Sequence, residues 1–298
     1  MTDAEPERVL GELELTRGLT IQMTAVGTLG MIVGWACFAG LYRFATGNAV
    51  SFDFFPATVG WIATPLDLLI VAFLGTFFLV PHEWLHGLAI RYYGGEPRYG
   101  VGIAHFVLPY AYATTDHEFS RNQFVVVLLT PLVAMTAVGV PVMLALEWGW
   151  LALPLTLNAA GAVADVWMTV AVLRYPEHVR VVDHETGVRI LGREADAPRG
   201  LSVTALVWDG LAGAAVAAFA TFVLLALGGP ILLTALGVES LTIGTPGRLT
   251  YLFSFVDTPE EVSLGVGPGV LGIGGLIGLA YAFVRTYRRE GPPPTDPA

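Results

Sequence analysis

The chain has 298 residues, of which 54% are hydrophobic and 13% are charged, and its formal net charge is −10. Soluble globular proteins carry about 25% charged residues, so this composition excludes an ordinary soluble domain. All 15 basic residues are arginine and they form no patch that could meet phosphates, so we expect no nucleic-acid partner. The single cysteine, Cys37, excludes an internal disulfide and a cysteine-based metal site.

Six long apolar runs follow an acidic N-terminal segment, residues 1–19, which we interpret as a cytoplasmic tail. Each run approaches or exceeds the roughly 20 residues that cross a bilayer core. They predict an all-α, polytopic helical membrane protein with one membrane domain over 20–286 and a disordered C-terminal tail over 287–298. The predicted spans are 20–43, 66–91, 124–146, 150–174, 203–228 and 265–285.

The arginines indicate how these six spans are oriented. If the N-terminus is cytoplasmic, thirteen of the 15 arginines lie on the cytoplasmic side, and only Arg43 and Arg248 lie outside. This asymmetry follows the positive-inside rule. We therefore expect an integral protein of the cell membrane with both termini in the cytoplasm and the lipid bilayer as its surroundings.

Three connecting segments are long enough to form structure of their own. Residues 99–113 are apolar but too short and interrupted to span. They predict either a re-entrant or interfacial extended segment, whose free edge could hold a substrate as an added strand, or an apolar loop on the membrane surface. Residues 179–182 and 188–191 flank a turn and predict a small cytoplasmic β-hairpin. Residues 237–264 form an outer loop to which the sequence assigns no role.

The second predicted span carries the pattern His82-Glu83-Trp84-Leu85-His86. On a helix, positions i and i+4 share a face, so His82 and His86 can direct two imidazoles at one metal ion. Glu83 lies beside them and can act on a zinc-activated water as a general base. Ionisable residues inside a membrane segment usually have a function, so the pattern predicts a zinc site.

Catalytic zinc sites usually have three protein ligands, and two aspartates compete for the third position. Asp165 precedes Arg174 by nine residues, as His82 precedes Arg91, which places both side chains at a similar membrane depth. Asp209, in the fifth span, has a comparable estimated depth and is the alternative third ligand. Asn158 lies two turns before Asp165 and could orient a ligand or stabilise an oxyanion.

These residues resemble the putative zincin peptidase family. Its members pair a helical His-Glu-x-x-His-Gly, here His82–Gly87, with a later Asn-x-x-Gly-(small)-x-x-Asp segment, here Asn158–Asp165. An aspartate-containing hairpin typically follows, and 181–187 looks like it. The resemblance covers roughly 70–195 and implies a zinc peptidase with Asp165 as third ligand.

A more distant likeness in plan is to the site-2 proteases, which also embed His-Glu-x-x-His in a membrane helix. Their third ligand is an aspartate in a Leu-Asp-Gly-like segment, which Trp208-Asp209-Gly210 resembles. The Asn-Pro-rich lead-in and a PDZ-sized insertion are missing. The likeness to zincin peptidases is therefore the stronger one.

The sequence thus predicts a membrane-embedded zinc metallopeptidase in which His82, His86 and Asp165 hold Zn²⁺ and Glu83 is the general base. Its substrate would be a membrane protein or a membrane-adjacent peptide. One alternative is a non-catalytic metal-binding scaffold or regulator. Another is a transporter whose polar residues line a path, although Glu83 and the lack of an internal repeat speak against it. Nothing in the sequence selects a particular substrate or oligomeric state.

Overall fold

The computed structural model describes residues 7–14, 16–50, 65–67, 69–70, 72–73, 78–104, 108–184, 187–198, 203–258 and 261–290. They group into two compact units, Met1–Arg17 with Gly27–Gly200, and Gly18–Val26 with Leu201–Ala298. Within the described ranges, five helices are long and apolar enough to cross a membrane: Arg17–Thr46, Arg121–Ala145, Gly149–Val172, Val203–Ala235 and Gly269–Thr286.

These five helices coincide with five of the six predicted spans. The second predicted span, 66–91, falls partly outside the described residues. Its described parts are helical, and its second half forms the helix Leu79–Tyr92. The prediction of a polytopic helical protein is therefore supported, and the count of six spans stays a prediction.

The first unit combines helices with a sheet and a hairpin. Its elements in chain order are β1 (Arg8–Glu14), α1 (Arg17–Thr46), α2 (Leu79–Tyr92), β2 (Arg98–Ala104), β3 (Leu108–Thr114), β4 (Glu118–Ser120), α3 (Arg121–Ala145), a 3₁₀ turn (Gly149–Leu151), α4 (Ala152–Gly161), α5 (Val163–Val172), β5 (Arg180–His184), β6 (Gly187–Gly192) and a 3₁₀ turn (Glu194–Asp196). Residues 18–26 of α1 group with the second unit.

Two antiparallel sheets accompany the helices of the first unit. Strands β1, β6, β5 and β4 form one sheet in that order, and β2 pairs with β3 as a hairpin. Arg189 at the β6 surface donates to Glu12 on β1 at 2.8 Å, and Arg180 pairs with Glu7 and Glu118. Ion pairs thus tie both edge strands of the sheet to its centre.

Helix α3 begins with a signal that is local to the sequence. Ser120 and Gln123 form a capping box, in which each side chain accepts a hydrogen bond from the other residue's backbone N–H. The helix then continues through Pro131 and Pro141 without a break. Because proline has no N–H, each of these residues leaves a helical carbonyl without its usual donor.

One apolar core joins α2, α3 and α5 to the sheet. Buried side chains from each of these elements contact one another, and they fix the positions of the helices that carry the polar residues of interest. Its members are Ala89, Ile90, Phe119, Phe124, Val127, Leu128, Val172, Val179, Val181, Val188 and Ile190.

The second unit contains α6 (Val203–Val223), a π-helical turn (Leu224–Gly228), α7 (Gly229–Ala235), β7 (Ser240–Ile243), β8 (Phe253–Asp257), β9 (Val262–Val266) and α8 (Gly269–Glu290). Helices α6 and α8 approach each other so closely that a Cβ atom at Gly278 would collide with the backbone of Gly210 and Ala214. Small residues allow such backbone contact between membrane helices. The three strands form one antiparallel sheet.

The all-α class is not confirmed, because the described residues, although mostly helical, also contain nine strands in three sheets. The small hairpin at β5–β6 is confirmed. In the 99–113 segment, the described residues 99–104 and 108–113 pair as antiparallel strands, and 105–107 lie outside the described residues. The missed strands are β1, β4 and β7–β9, whose pairing the local pattern does not reveal. The predicted domain boundaries stay a prediction, although β1 and the last turn of α8 lie inside the two predicted tails.

Candidate metal centre

Helix α2 carries both histidines of the His-Glu-x-x-His pattern on one face. His82 and His86 are 6% and 8% exposed, and their ring centroids lie 5.0 Å apart. A single helical turn separates the two residues, as their spacing predicts. The two imidazoles are therefore buried together. Their ring nitrogens need partners within the protein, because a buried polar group without a hydrogen bond costs free energy.

Asp165 on α5 completes a cluster with these two histidines. Its Oδ2 lies 3.4 Å from His82 Nε2 and 3.6 Å from His86 Nε2, and the carboxylate is buried. One atom from each of the three residues lies within 4.8 Å of the others. Four-coordinate zinc with bonds of about 2.0–2.2 Å separates its ligands by roughly 3.3–3.6 Å. The distances and the donor set therefore fit a zinc ion.

The histidine Nδ1 atoms face away from Asp165 and have partners of their own. His86 Nδ1 lies 2.9 Å from the Val127 carbonyl, which can only accept, so this nitrogen donates. His82 Nδ1 lies 2.9 Å from Asn158 Oδ1. The Asn158 amide in turn donates to the Pro131 carbonyl at 3.5 Å, which directs its oxygen toward His82. In the neutral rings, both Nε2 lone pairs are left for a metal.

Asn158 therefore contacts a histidine of the cluster. Of its two predicted roles, the observed hydrogen bond to His82 supports the orienting one. The two small residues between Asn158 and Asp165, Gly161 and Ala162, differ in their surroundings. Ala162 is fully buried, whereas a Cβ at Gly161 would meet no described atom within 4 Å.

Glu83 lies on the face of α2 that the β2–β3 hairpin covers. The backbone N–H of Ala113 on β3 is a hydrogen-bonding neighbour of its half-buried carboxyl group. One turn later on the same face, the Tyr99 hydroxyl on β2 packs so tightly against Gly87 that a Cβ there would overlap it. Glycine at position 87 thus leaves room for the Tyr99 side chain against the helix.

An ion pair holds the open end of the same hairpin. Arg98, the first residue of β2, donates two hydrogen bonds of 2.6 Å to the carboxylate of Asp116, just beyond β3. The hydrogen bond from Arg98 lowers the pKa of Asp116. This bidentate pair thus joins the start of β2 to the residue that follows the end of β3.

Asp209, the alternative third ligand, lies in the second unit on α6. It is 1% exposed, and its Oδ1 lies 3.3 Å from Arg285 Nη1 of α8. Its charge is thus compensated within its own unit, whereas Asp165 meets the histidines. Within the described ranges, the cluster with metal-ligand geometry consists of His82, His86 and Asp165.

Residues 75–180 match the family model described as "Putative zincin peptidase". This segment, about a third of the chain, is similar to that family. It contains α2 and Asp165, and so it includes all members of the His82, His86 and Asp165 cluster. No curated protein and no solved structure matches the chain.

The zincin-family segment also contains residues that the sequence analysis missed. Val127 and Pro131 on α3 supply backbone acceptors for the cluster, and Ala113 supplies a donor beside Glu83. Backbone atoms leave no trace in residue type, so no side-chain pattern could reveal them. The one available signal was Pro131, because an internal proline frees a carbonyl four residues earlier.

Proposed function

We propose that this chain is a membrane-embedded zinc metallopeptidase that hydrolyses peptide bonds of a membrane protein or a membrane-adjacent peptide. The observation that carries the proposal is the buried cluster of His82, His86 and Asp165, with Glu83 next to it. The family match of residues 75–180 and the five membrane-length helices support it. We further propose the cell membrane as its location, with both termini in the cytoplasm.

Each residue of the cluster has a distinct proposed task. His82, His86 and Asp165 are the metal ligands, and Asn158 holds the His82 ring in the orientation that points Nε2 at the ion. A zinc ion held there would supply a Lewis acid and lower the pKa of a bound water to about 7. Glu83 would accept the proton released at this water and later deliver it to the leaving amine.

The β2–β3 hairpin suggests how a substrate could be held. In the part of the chain that the structure describes, β3 pairs only with β2. An extended peptide that adds to β3 would run past Ala113 and hence past Glu83, where it would compete with the Glu83 carboxylate for the Ala113 N–H. This placement supports an extended polypeptide as the substrate, consistent with the free-edge interpretation of 99–113.

The first test compares two glutamine variants of purified, full-length protein. Glu83→Gln should keep bound zinc and lose activity by about 100-fold or more, because it removes the proton acceptor but no ligand. Glu96→Gln, the same change at an exposed glutamate after α2, should leave both unchanged. Zinc is measured by elemental analysis, and activity by the new N-termini produced in membrane proteins co-reconstituted in vesicles.

Each other outcome contradicts part of the proposal. Full activity of the Glu83→Gln variant would show that another group takes the proton. Stoichiometric zinc without any cleavage by the unmodified protein would favour a metal-binding scaffold or regulator. Zinc flux across the vesicle membrane that survives Glu83→Gln would favour a transporter.

A further inference from the structure

One turn of helix α3, from Val127 to Pro131, provides acceptors for both histidines. The Val127 carbonyl accepts directly from His86 Nδ1 at 2.9 Å. The Pro131 carbonyl accepts from Asn158 at 3.5 Å, and Asn158 holds His82 at 2.9 Å. Val127, Pro131 and Asn158 are all buried, so these hydrogen bonds have no competition from bulk water.

The Val127 carbonyl is available because of the residue four positions later. In an α-helix, the carbonyl of residue i accepts from the N–H of residue i+4. For Val127 that residue is Pro131, which has no N–H. The carbonyl would otherwise be a buried acceptor without a helical donor, which costs free energy unless another donor reaches it. His86 Nδ1–H is the donor that reaches it.

We propose that Pro131 is the positioning residue of the metal centre, because its missing N–H reserves the Val127 carbonyl for His86 while its own carbonyl anchors Asn158 behind His82. The inference rests on the proposed function, since it assigns a role in preparing the zinc ligands. Pro131 contacts neither substrate nor metal in this role. It acts through the hydrogen bonds that set the ring orientation and the tautomer of the two histidines.

The same helix contains a matched control. Pro141 is also internal to α3, and its missing N–H frees the carbonyl of Ala137. In the described part of the chain, no histidine of the cluster bonds to that carbonyl. Proline removal restores one helical N–H at either position, but only at 131 does that N–H meet a carbonyl that serves the metal centre. Pro131 is buried whereas Pro141 is exposed, so the loss of the ring itself is controlled separately, by the ester at 131.

The first experiment compares Pro131→Ala with Pro141→Ala in the full-length protein. Alanine at 131 restores an N–H that competes with His86 for the Val127 carbonyl. The zinc affinity should fall about 10-fold, the lower end of the range for loss of an outer partner of a metal ligand. Pro141→Ala should bind zinc as the unmodified protein does. Competition with a chelator of known affinity measures both values.

The second experiment leaves Pro131 in place and weakens the acceptor. An α-hydroxy acid in place of Leu128 converts the Val127 carbonyl from an amide to an ester carbonyl, which accepts hydrogen bonds less strongly. The same replacement at Leu129 alters the neighbouring carbonyl and removes one helical N–H in the same way. Zinc affinity should fall severalfold for the ester at 128 and stay unchanged for the ester at 129.

A third measurement needs no metal. Nitrogen-15 NMR of metal-free protein reports which ring nitrogen of His86 carries the proton, with the signal assigned by its loss in His86→Gln. The unmodified protein should show a proton on Nδ1, and Pro131→Ala should show a mixture of tautomers. An ester made with the α-hydroxy analogue of alanine at position 131 lacks the N–H and should restore the Nδ1 form.

The outcomes separate this inference from the proposed function. Unchanged tautomer and zinc affinity in Pro131→Ala would overturn the inference and leave a zinc peptidase standing. Equal losses with alanine and with the ester at 131 would overturn it too, because the ring rather than the missing N–H would matter. A tautomer change in a protein that binds no zinc would uphold the inference and contradict the proposed function.

Discussion

The two histidines and Asp165 lie on helices α2 and α5, and each histidine uses its two ring nitrogens differently. Nδ1 donates to a fixed oxygen, Asn158 Oδ1 or the Val127 carbonyl, while Nε2 faces the carboxylate. This division is what a neutral histidine needs as a metal ligand, because the proton on one nitrogen leaves a lone pair on the other. The site is thus prepared by groups that would never touch the ion.

At the residue scale, the identity of the third ligand can be decided with two identical substitutions. Asp165→Asn should lower zinc affinity at least 10-fold, because it replaces a charged oxygen donor with a neutral amide. Asp209→Asn should leave zinc affinity unchanged, although it weakens the pair with Arg285 and lowers the Tm. For both variants, the bound zinc is measured per mole of monodisperse protein. A loss of zinc in Asp209→Asn alone would reassign the ligand.

At the element scale, the contact between α2 and the β2–β3 hairpin is the main feature. The helix presents Glu83 and Gly87 on one face, and the hairpin brings the Ala113 N–H and the Tyr99 hydroxyl to these two positions. The proposed proton acceptor and the proposed substrate edge therefore depend on the same packing. A side chain at position 87 would displace the Tyr99 side chain from this contact.

Gly87→Ala should destabilise the protein by about 1 kcal/mol, the lower end of the usual range for overpacking, because the added Cβ overlaps the end of the half-exposed Tyr99 side chain, which must turn away from the helix. Activity should fall with it, while zinc affinity changes little. Gly161→Ala, at a helical glycine with open space, is the control. Thermal unfolding in detergent measures the change. Adding Tyr99→Ala should remove most of the effect of Gly87→Ala, and additive losses would contradict the assigned overlap.

Elements differ in how well the sequence reveals them. The hairpin β5–β6 is visible because its strands are adjacent and a short turn joins them. Strand β1 is not, because Glu12 finds its partner Arg189 177 residues later. The strands β7–β9 lie in a loop without strong alternation, and their burial is low except at β8. Strand pairing is a long-range property, so local pattern alone predicts it poorly.

At the scale of the whole molecule, the long apolar helices and the arginine distribution together form the basis for a membrane topology. Five helices have the length and apolarity to cross a membrane. From the unequal arginine distribution we propose which loops face the cytoplasm. Under this proposed topology, the connecting residues 175–202 would face the cytoplasm and the connecting residues 237–264 would face outward.

The topology can be tested with single cysteines in a Cys37→Ser background. Leu249→Cys lies in the proposed outer segment, where the native side chain is 84% exposed. Glu177→Cys lies at an exposed position before β5. A membrane-impermeant maleimide should label the first in intact cells and the second only after lysis. The reverse labelling pattern would invert the proposed orientation.

The sequence by itself determined the membrane-length helices, the i, i+4 histidine pair and Glu83, because apolar run length and helical periodicity are local properties. It also favoured Asp165 over Asp209, because Asp165 and His82 have the same nine-residue offset from a boundary arginine and because Asp165 completes the motif of the family that the chain resembles. Only the tertiary structure decided the rest. The partners of His86 and His82 lie 41 and 76 residues away, and one is a backbone carbonyl that no residue type encodes. The sheet that supports these helices depends on strands still farther apart, whose pairing arises from packing of the whole unit.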